Sequence, residues 1–552
     1  MQIIIPMSGF GARFQKAGYT VPKPLIPVDG KPIIAHVLDL FPGEEDVTFV
    51  CNRQHLEDPT YHMAELLREF CPSGRILAIE PHKLGPVYAV AQVMDQVDLR
   101  RPTIVNYCDF TCYWDYNHFK EFVDECSCDG AIPAYRGFHP HSLGSTFYAY
   151  LREQGGWLLD IQEKQPFTNN PMQEYASSGT YYFASGEIMR HCFQRAMDEG
   201  QTVGGEYYVS LAYKPMLAEC RAVAVYELQH FMQWGTPEML EEYQHWSSVF
   251  NRLAQPLPSP APRHEGTVLV PMAGLGSRFS REGFTVSKPL IPVSGQPMVV
   301  QATHDLPKAE RYRFVVRRDM LMATETRQAL EQAFRSVEVV SLDELTDGQA
   351  RTCLLGMEGV ALDQPVTIGA SDNGALYDPA GLVRLLEDPE TDLIVWVVRG
   401  HAGAARHPEM YGWVMTEGSW VTGVSVKTPL GDPARDPVIL GTFTFKRAGD
   451  FVAATQRMIH RGARINGEFY VDTCINDALA LGLSCQIFAV DHYLCWGTPD
   501  ELRTFEYWQS CFHKWNAHPY RLEKDPRVPA EAVSLLAERY RPTLPRLLGV
   551  RT

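Results

Sequence analysis

Six residues with almost no polar position, Gln2–Met7 (QIIIPM), open the chain, and the same character returns at 267–272 (TVLVPM). A strand with one solvated face alternates in polarity. A strand without a polar face is typical of a parallel sheet covered on both sides. Further short apolar runs at 46–52 (DVTFVCN), 102–109 (PTIVNYCD), 311–318 (RYRFVVRR) and 364–372 (QPVTIGASD) read as strands. They alternate with helical patterns at 63–70 (MAELLREF) and 326–334 (TRQALEQAF). Such alternation predicts an α/β fold, a three-layer α/β/α Rossmann-like sandwich with a mostly parallel mixed sheet, whose ligands lie at the strand C-terminal ends.

The pattern is written twice. Of the first twenty positions from Gly9 (GFGARFQKAGYTVPKPLIPV), thirteen match those from Gly274 (GLGSRFSREGFTVSKPLIPV). Arg13 pairs with Arg278 at an offset of 265, Asp109 with Asp372 and Trp157 with Trp420 at 263, and Gly179 with Gly441, Glu206 with Glu468 and Trp234 with Trp496 at 262. So small a drift means two homologous domains, where a solenoid would repeat a far shorter unit. The expected organisation is a first domain over 1–253, a Pro-rich linker over 254–265, a second domain over 266–510 and a helical tail over 511–552, where AEAVSLLAERY has a helical look.

Composition adds limits. The 552 residues, 45% apolar and 21% charged, are those of a folded protein of more than one domain. A net charge of −16 argues against a nucleic-acid partner, since phosphate backbones are bound by basic surfaces. No signal-peptide pattern follows Met1, and no apolar run approaches the ~18 residues of a membrane span. The expectation is a cytoplasmic protein without a membrane partner whose thirteen cysteines are reduced and mostly buried.

A glycine-rich turn after the first strand (Gly9 and Gly11; Gly274 and Gly276) lets backbone N–H groups approach a phosphate or base closely. Arg13 follows on the turn and Lys23 ten residues later, an interval kept by Arg278 and Lys288. Two cations so spaced can converge on a polyphosphate.

The pattern Gly-x-Gly-x-Arg, ten residues to Lys, then Pro-x-x-x-Pro-Val resembles the sugar-phosphate nucleotidyltransferases, the nucleoside-diphosphate-sugar pyrophosphorylases. The resemblance continues through HKLGPVYAV around Gly85, Asp109, Gly144 in LGSTFYAY, Glu163 and Lys164 in IQEKQPF, and Gly179 in EYASSGTYYF. It implies transfer of a nucleoside monophosphate from an NTP to a sugar phosphate or related phosphorylated alcohol, with pyrophosphate released, for surface polysaccharide synthesis. It also implies Mg²⁺ as cofactor. Arg13 would hold the departing β- and γ-phosphates and Lys23 the charge at the α-phosphate. Asp109 would carry the metal, Lys164 would grip the incoming phosphate, and Glu163 would bind a hydroxyl of its carrier. Gly85 and its counterpart Gly348 would face the base, and Gly144 and Gly179 the acceptor. Arg278, Lys288, Asp372 and Lys427 take the matching roles in the second copy, Asp372 as metal ligand.

There are departures. Where many relatives place a second metal-binding Asp, this chain has Gln233 and Cys495, with Glu206 and Glu468 or His230 and His492 as candidate substitutes. Val426 stands where the first copy has Glu163, and the second base segment reads LTDGQARTCLLG. The second copy is therefore expected to keep its triphosphate grip and to differ at its acceptor. His139 and His141 are expected to be incidental, and QHFMQW to be core packing. Two other readings stand: a nucleotide-sugar-dependent glycosyltransferase of similar architecture, or one copy as a non-catalytic regulatory domain. The base, the acceptor and the oligomeric state stay open, a homo-oligomer included.

Overall fold

A computed structural model describes every residue except 145–146, 257–260, 319–323 and 549–552. Contacts divide the chain into two units: Met1–Ser248 with Lys514–His518 and the segment from Tyr540 onward, and Val249–His513 with Pro519–Arg539. Residues 257–260 of the expected linker lie outside the described residues, and helix Pro499–Lys514 runs through position 510 because its apolar face continues through Trp508, Cys511 and Phe512.

In the first unit ten strands form one sheet in the order Tyr175–Ser177, Ala149–Gln154, Trp157–Glu163, Val223–Glu227, Gly130–Tyr135, Thr180–Phe183, Thr103–Asn106, Gln2–Met7, Val47–Asn52, Arg75–Ile79. The last four are mutually parallel, and Thr180–Phe183 joins them antiparallel. Helices cover both faces. Phe193 of helix Gly186–Asp198 packs 5.7 Å from Phe183, while Phe119 of helix Tyr116–Cys126 packs 6.0 Å from Tyr182. Adjacent strand residues point to opposite faces, so these two contacts define a three-layer sandwich. The all-apolar reading of Gln2–Met7 has this cause: every residue of the strand is buried.

The second unit repeats the order in nine strands: Val337–Leu342, Arg311–Arg317, Thr267–Pro271, Val366–Ile368, Val438–Phe445, Leu393–Val398, Cys485–Ala489, Trp420–Val426, Gly412–Glu417. Along Leu393–Val398, Leu393, Val395 and Val397 enter one apolar cluster, while Ile394, Trp396 and Val398 enter another. The copies differ where Tyr175–Ser177 and Thr180–Phe183 are separate strands but Val438–Phe445 is continuous.

Each unit adds a two-stranded ribbon, Phe110–Tyr113 with His230–Gln233 and Asn373–Leu376 with His492–Cys495. Because Gln2–Met7 and Thr103–Asn106 run parallel, the glycine turn and Asp109 leave the sheet at the same end. Among the described residues no helix is long and apolar enough to cross a membrane. All thirteen cysteines are free thiols, eleven of them buried.

Candidate active site

A cavity of about 550 Å³ opens at that end of the first sheet, lined by Gly9, Gly11, Arg13, Lys23, Gly85, Asp109, Glu163, Lys164, Gly179 and Glu206 among others. Gly11 caps the short helix Ala12–Lys16 at φ 67°, and Gly276 caps Ser277–Arg281 at φ 63°; this left-handed backbone is the reason for glycine there. Gly9 and Gly274 have no such steric need: a methyl group on either would meet nothing within 4 Å. Arg13 and Arg278 are exposed on these helices.

Lys23 Nζ donates to Asp109 Oδ2 at 2.7 Å, and Lys288 Nζ to Asp372 Oδ2 at 2.6 Å. Burial alone would lower the Lys23 pKa, but the charge and hydrogen bond of Asp109 outweigh it and raise the value, so the ammonium stays charged. Each Asp is fixed by its own backbone: Trp234 N donates to Asp109 O at 2.8 Å, and Trp496 N to Asp372 O at 2.9 Å.

The ribbon brings the position after each Asp opposite Gln233 or Cys495. A methyl group on Gly235 would stand 3.2 Å from Gln233 Nε2 and 3.3 Å from Asp109 Oδ2. Gln233 Oε1 accepts from Tyr148. On Gly497 the same group would stand 3.3 Å from Asp372 Oδ2, 3.5 Å from Glu501 Oε2 and 3.6 Å from Cys495 Sγ. The second unit thus brings in a carboxylate, Glu501, that has no counterpart in the first, where Met239 occupies the position. Hard oxygen donors beside a cleft suit Mg²⁺, which is usually held by one or two carboxylates with substrate phosphates and water. Asp109 alone, and Asp372 with Glu501, fit that donor set. Among the described residues no group of three His, Cys, Asp or Glu side chains forms a self-sufficient metal cage.

Also lining the cavity, Glu163 accepts through Oε2 from Ser210 Oγ at 2.6 Å, and burial raises its pKa to about 6 against the pull of Ser210 and Lys164. Lys164 has left-handed backbone, φ 59°, and Lys427 repeats it at φ 62°. Their amides donate to Tyr148 O and Tyr411 O at 2.8 and 2.9 Å. Lys164 Nζ reaches Tyr208 Oη at 2.5 Å and lies 4.4 Å from the centre of that ring, while Tyr208 donates to Glu206. Glu206 therefore sits beside Lys164, and Tyr470 likewise donates to Glu468 at 2.6 Å. A non-glycine residue in this conformation is uncommon, and finding Lys there in both copies points to a held orientation.

Gly85 serves the fold as well as the cavity. A Cβ there would lie 2.7 Å from the Tyr207 backbone, and at Gly348 2.4 Å from that of Phe469. Tyr207 N bonds Leu84 O, and Phe469 N bonds Asp347 O, so both loops are clamped to the segment carrying Glu206 or Glu468. Gly179, at φ 97°, packs against Phe110 and Tyr107. Gly144 ends the turn Pro140–Leu143, next to the undescribed 145–146, and is not among the lining residues. His230 and His492 lie at the ribbon ends away from Gln233 and Cys495. His139 is buried with its pKa pushed down to about 3, and His141 bonds Tyr135; neither reaches the cavity. The roles of Ser210, Tyr208 and Glu501 were not legible from motif spacing. Following the 262-residue offset through the segments after Glu206 and Trp234 would have exposed them.

Residues 3–166 match the family model described as the MobA-like NTP transferase domain. The chain is 24% identical over 247 residues to the mannose-1-phosphate guanylyltransferase catalytic subunit beta of Danio rerio, covering 43% of this chain and 62% of that one. It is 33% identical over 110 residues to the bifunctional protein GlmU of Ralstonia pickettii, covering 20% and 22%. It thus spans less than two thirds of either relative's length. A solved nucleoside-diphosphate-sugar pyrophosphorylase from Vibrio cholerae RC9 is 23% identical with a TM-score of 0.36, over 43% of this chain and 98% of that one. The glycine turn, Lys23 and Asp109 all lie inside the segment that matches this NTP transferase domain.

Proposed function

We propose that both units transfer a nucleoside monophosphate from an NTP to a phosphorylated sugar or related alcohol and release pyrophosphate. The observation that carries this reading is the lysine–aspartate contact, 2.7 Å in one unit and 2.6 Å in the other, behind the same glycine turn. The acceptor is a phosphomonoester, whose second pKa near ~6 leaves it ionised at neutral pH, so no general base is needed. What the transition state requires is fixed positive charge and alignment. Arg13 and Arg278 draw off charge on the leaving pyrophosphate. Lys23 and Lys288 stand at the α-phosphate. Lys164 and Lys427, in their fixed backbone, orient the acceptor phosphate for in-line attack. Asp109, and Asp372 with Glu501, would hold Mg²⁺, which when bound supplies charge for the triphosphate oxygens. Glu163 accepts a hydroxyl of the first acceptor.

The substrates are cytoplasmic metabolites, and the product is an activated sugar or alcohol for surface-glycan assembly. A hexose 1-phosphate with GTP, the chemistry in the name of the Danio relative, is the first pair to try. The test is pyrophosphate release from the full chain with Mg²⁺, four NTPs and a panel of sugar and polyol phosphates, on wild type, Lys23→Ala and Lys288→Ala. Each variant is expected to lose one acceptor activity and keep the other. Release of a nucleoside diphosphate from a nucleotide sugar, without pyrophosphate, would overturn the reading in favour of glycosyl transfer.

A further inference from the structure

The loss of Glu163 at Val426 leaves the second acceptor wall without its carboxylate only if nothing replaces it. In the first unit Glu163, which lines the cavity, accepts from the fully buried Ser210 at 2.6 Å. At the 262-residue offset, Ser210 corresponds to Asp472, the second residue of helix Val471–Ala480. The two contacting positions have exchanged chemistry: acid and hydroxyl in one copy, valine and acid in the other.

A third position moved with them. Ala149, on the strand beside Glu163, corresponds to Gly412. A methyl group on Gly412 would stand 2.2 Å from Asp472 Oδ2, so the alanine of the first copy cannot coexist with this carboxylate as placed. Gly412 makes the room that Asp472 needs, and with Val426 in place of Glu163 each copy keeps one carboxylate among these three positions. Decay of a redundant copy would have no reason to install a half-buried carboxylate, because such a group is costly unless paired.

Asp472 has little else to do. Among the described residues no other side chain donates a hydrogen bond to it; its own backbone amide and the charge of Lys427 are its stabilising influences, and they act against burial. Lys427 is itself held by Met410 O at 2.9 Å and repeats the backbone of Lys164. The acid thus lies against Gly412, whose chain neighbour Tyr411 accepts from the amide of Lys427, the residue assigned to the acceptor phosphate.

We propose that Asp472 is the acceptor-binding carboxylate of the second site, and that this site takes a hydroxyl-bearing phosphomonoester whose hydroxyl donates to Asp472 while its phosphate meets Lys427. This rests on the reading of the second unit as a nucleotidyltransferase. Asp is one methylene shorter than Glu and enters from a helix instead of the strand, so the hydroxyl it selects lies elsewhere on the carbon skeleton. Lys427 already opposes the carboxylate charge, which favours a neutral hydroxyl donor over an ammonium-bearing acceptor.

The test uses the full chain carrying Lys23→Ala, so that pyrophosphate release reports the second site. Polyol and sugar phosphates are compared with aminoalkyl and choline phosphates. Asp472→Asn is expected to raise the acceptor KM by about tenfold or more with the NTP KM unchanged. The triple exchange Gly412→Ala, Val426→Glu, Asp472→Ser is expected to move acceptor preference toward that of the first site, with thermal unfolding confirming that it folds. An unchanged acceptor KM in Asp472→Asn, or turnover confined to ammonium-bearing acceptors, overturns the proposal and leaves the nucleotidyltransferase reading intact. No pyrophosphate from the Lys23→Ala chain with any acceptor, while wild type is active, overturns the catalytic reading of the second unit and this proposal with it.

Discussion

In the donor halves of the two units, Lys23 and Lys288 hold their aspartates within a tenth of an ångström of each other, and the glycine caps agree within a few degrees of φ. In the acceptor halves the same comparison finds Glu163 against Val426, Ser210 against Asp472 and Ala149 against Gly412. On the proposed function, the difference is what duplication of a group-transfer enzyme should leave behind. A triphosphate presents the same oxygens whatever the acceptor, so its grip tolerates little change. The acceptor wall carries specificity, and a hydrogen-bonding group there can migrate between contacting positions provided its neighbours make room.

The comparison breaks most sharply at the lysines. Lys23→Ala and Lys288→Ala are each expected to lower kcat for their own acceptor by roughly 10²–10³-fold, the usual cost of removing one preorganised donor from a developing charge. The other acceptor's turnover serves as internal control. If either variant depresses both activities equally, the copies do not work as separate sites.

Glycines in the two halves separate packing from binding. Gly348→Ala and Gly85→Ala force a Cβ to within 2.4 and 2.7 Å of backbone atoms and are expected to cost about 1–3 kcal/mol in denaturant unfolding. Gly9→Ala has free space and is expected to unfold as wild type while raising the NTP KM. A destabilised Gly9→Ala would show that the turn is held by packing and not kept open for nucleotide.

Much of this was legible beforehand. The buried parallel strands announced themselves as runs without a polar face, and Arg, Lys and Asp kept their intervals because the donor half keeps its geometry. Asp472 was hidden because its partner position, 426, lies 46 residues away and carries a valine that reads as simple loss. Glu501 reads in sequence as an acid in the first turn of a helix, where helix electrostatics alone would favour it. Only its convergence with Asp372 near Gly497 distinguishes it. Gly85 could be read as a glycine near a base, but the close approach of Tyr207 is a fact of the folded chain.

Metal affinity should differ between the copies in the direction of their carboxylates. Glu501→Gln is expected to weaken Mn²⁺ binding at the second site about tenfold, read by electron paramagnetic resonance of the free ion in the presence of a non-hydrolysable NTP. Gln233→Asp is expected to strengthen the first site. Equal Mn²⁺ binding by wild type and Glu501→Gln would remove Glu501 from the donor set.

The smallest effect concerns protons. Glu163 and Asp472 both have pKa values raised to about 6 by burial, from 4.5 and 3.8. Between the unfolded and folded values the native state binds the extra proton, so stability falls as pH rises through this window and the penalty is complete above pH ~6. Glu163→Gln, which can still accept from Ser210, is therefore expected to be more stable than wild type at pH 8 by up to ~2 kcal/mol and not at pH 4. Its activity should show the opposite side of the same proton. The acceptor phosphate also titrates near ~6, so wild-type kcat/KM for the first acceptor should fall with two protons below that pH. Glu163→Gln should fall with one, from a lower plateau. If the variant keeps the two-proton slope, the second proton belongs elsewhere and Glu163 does not bind the acceptor as a carboxylate.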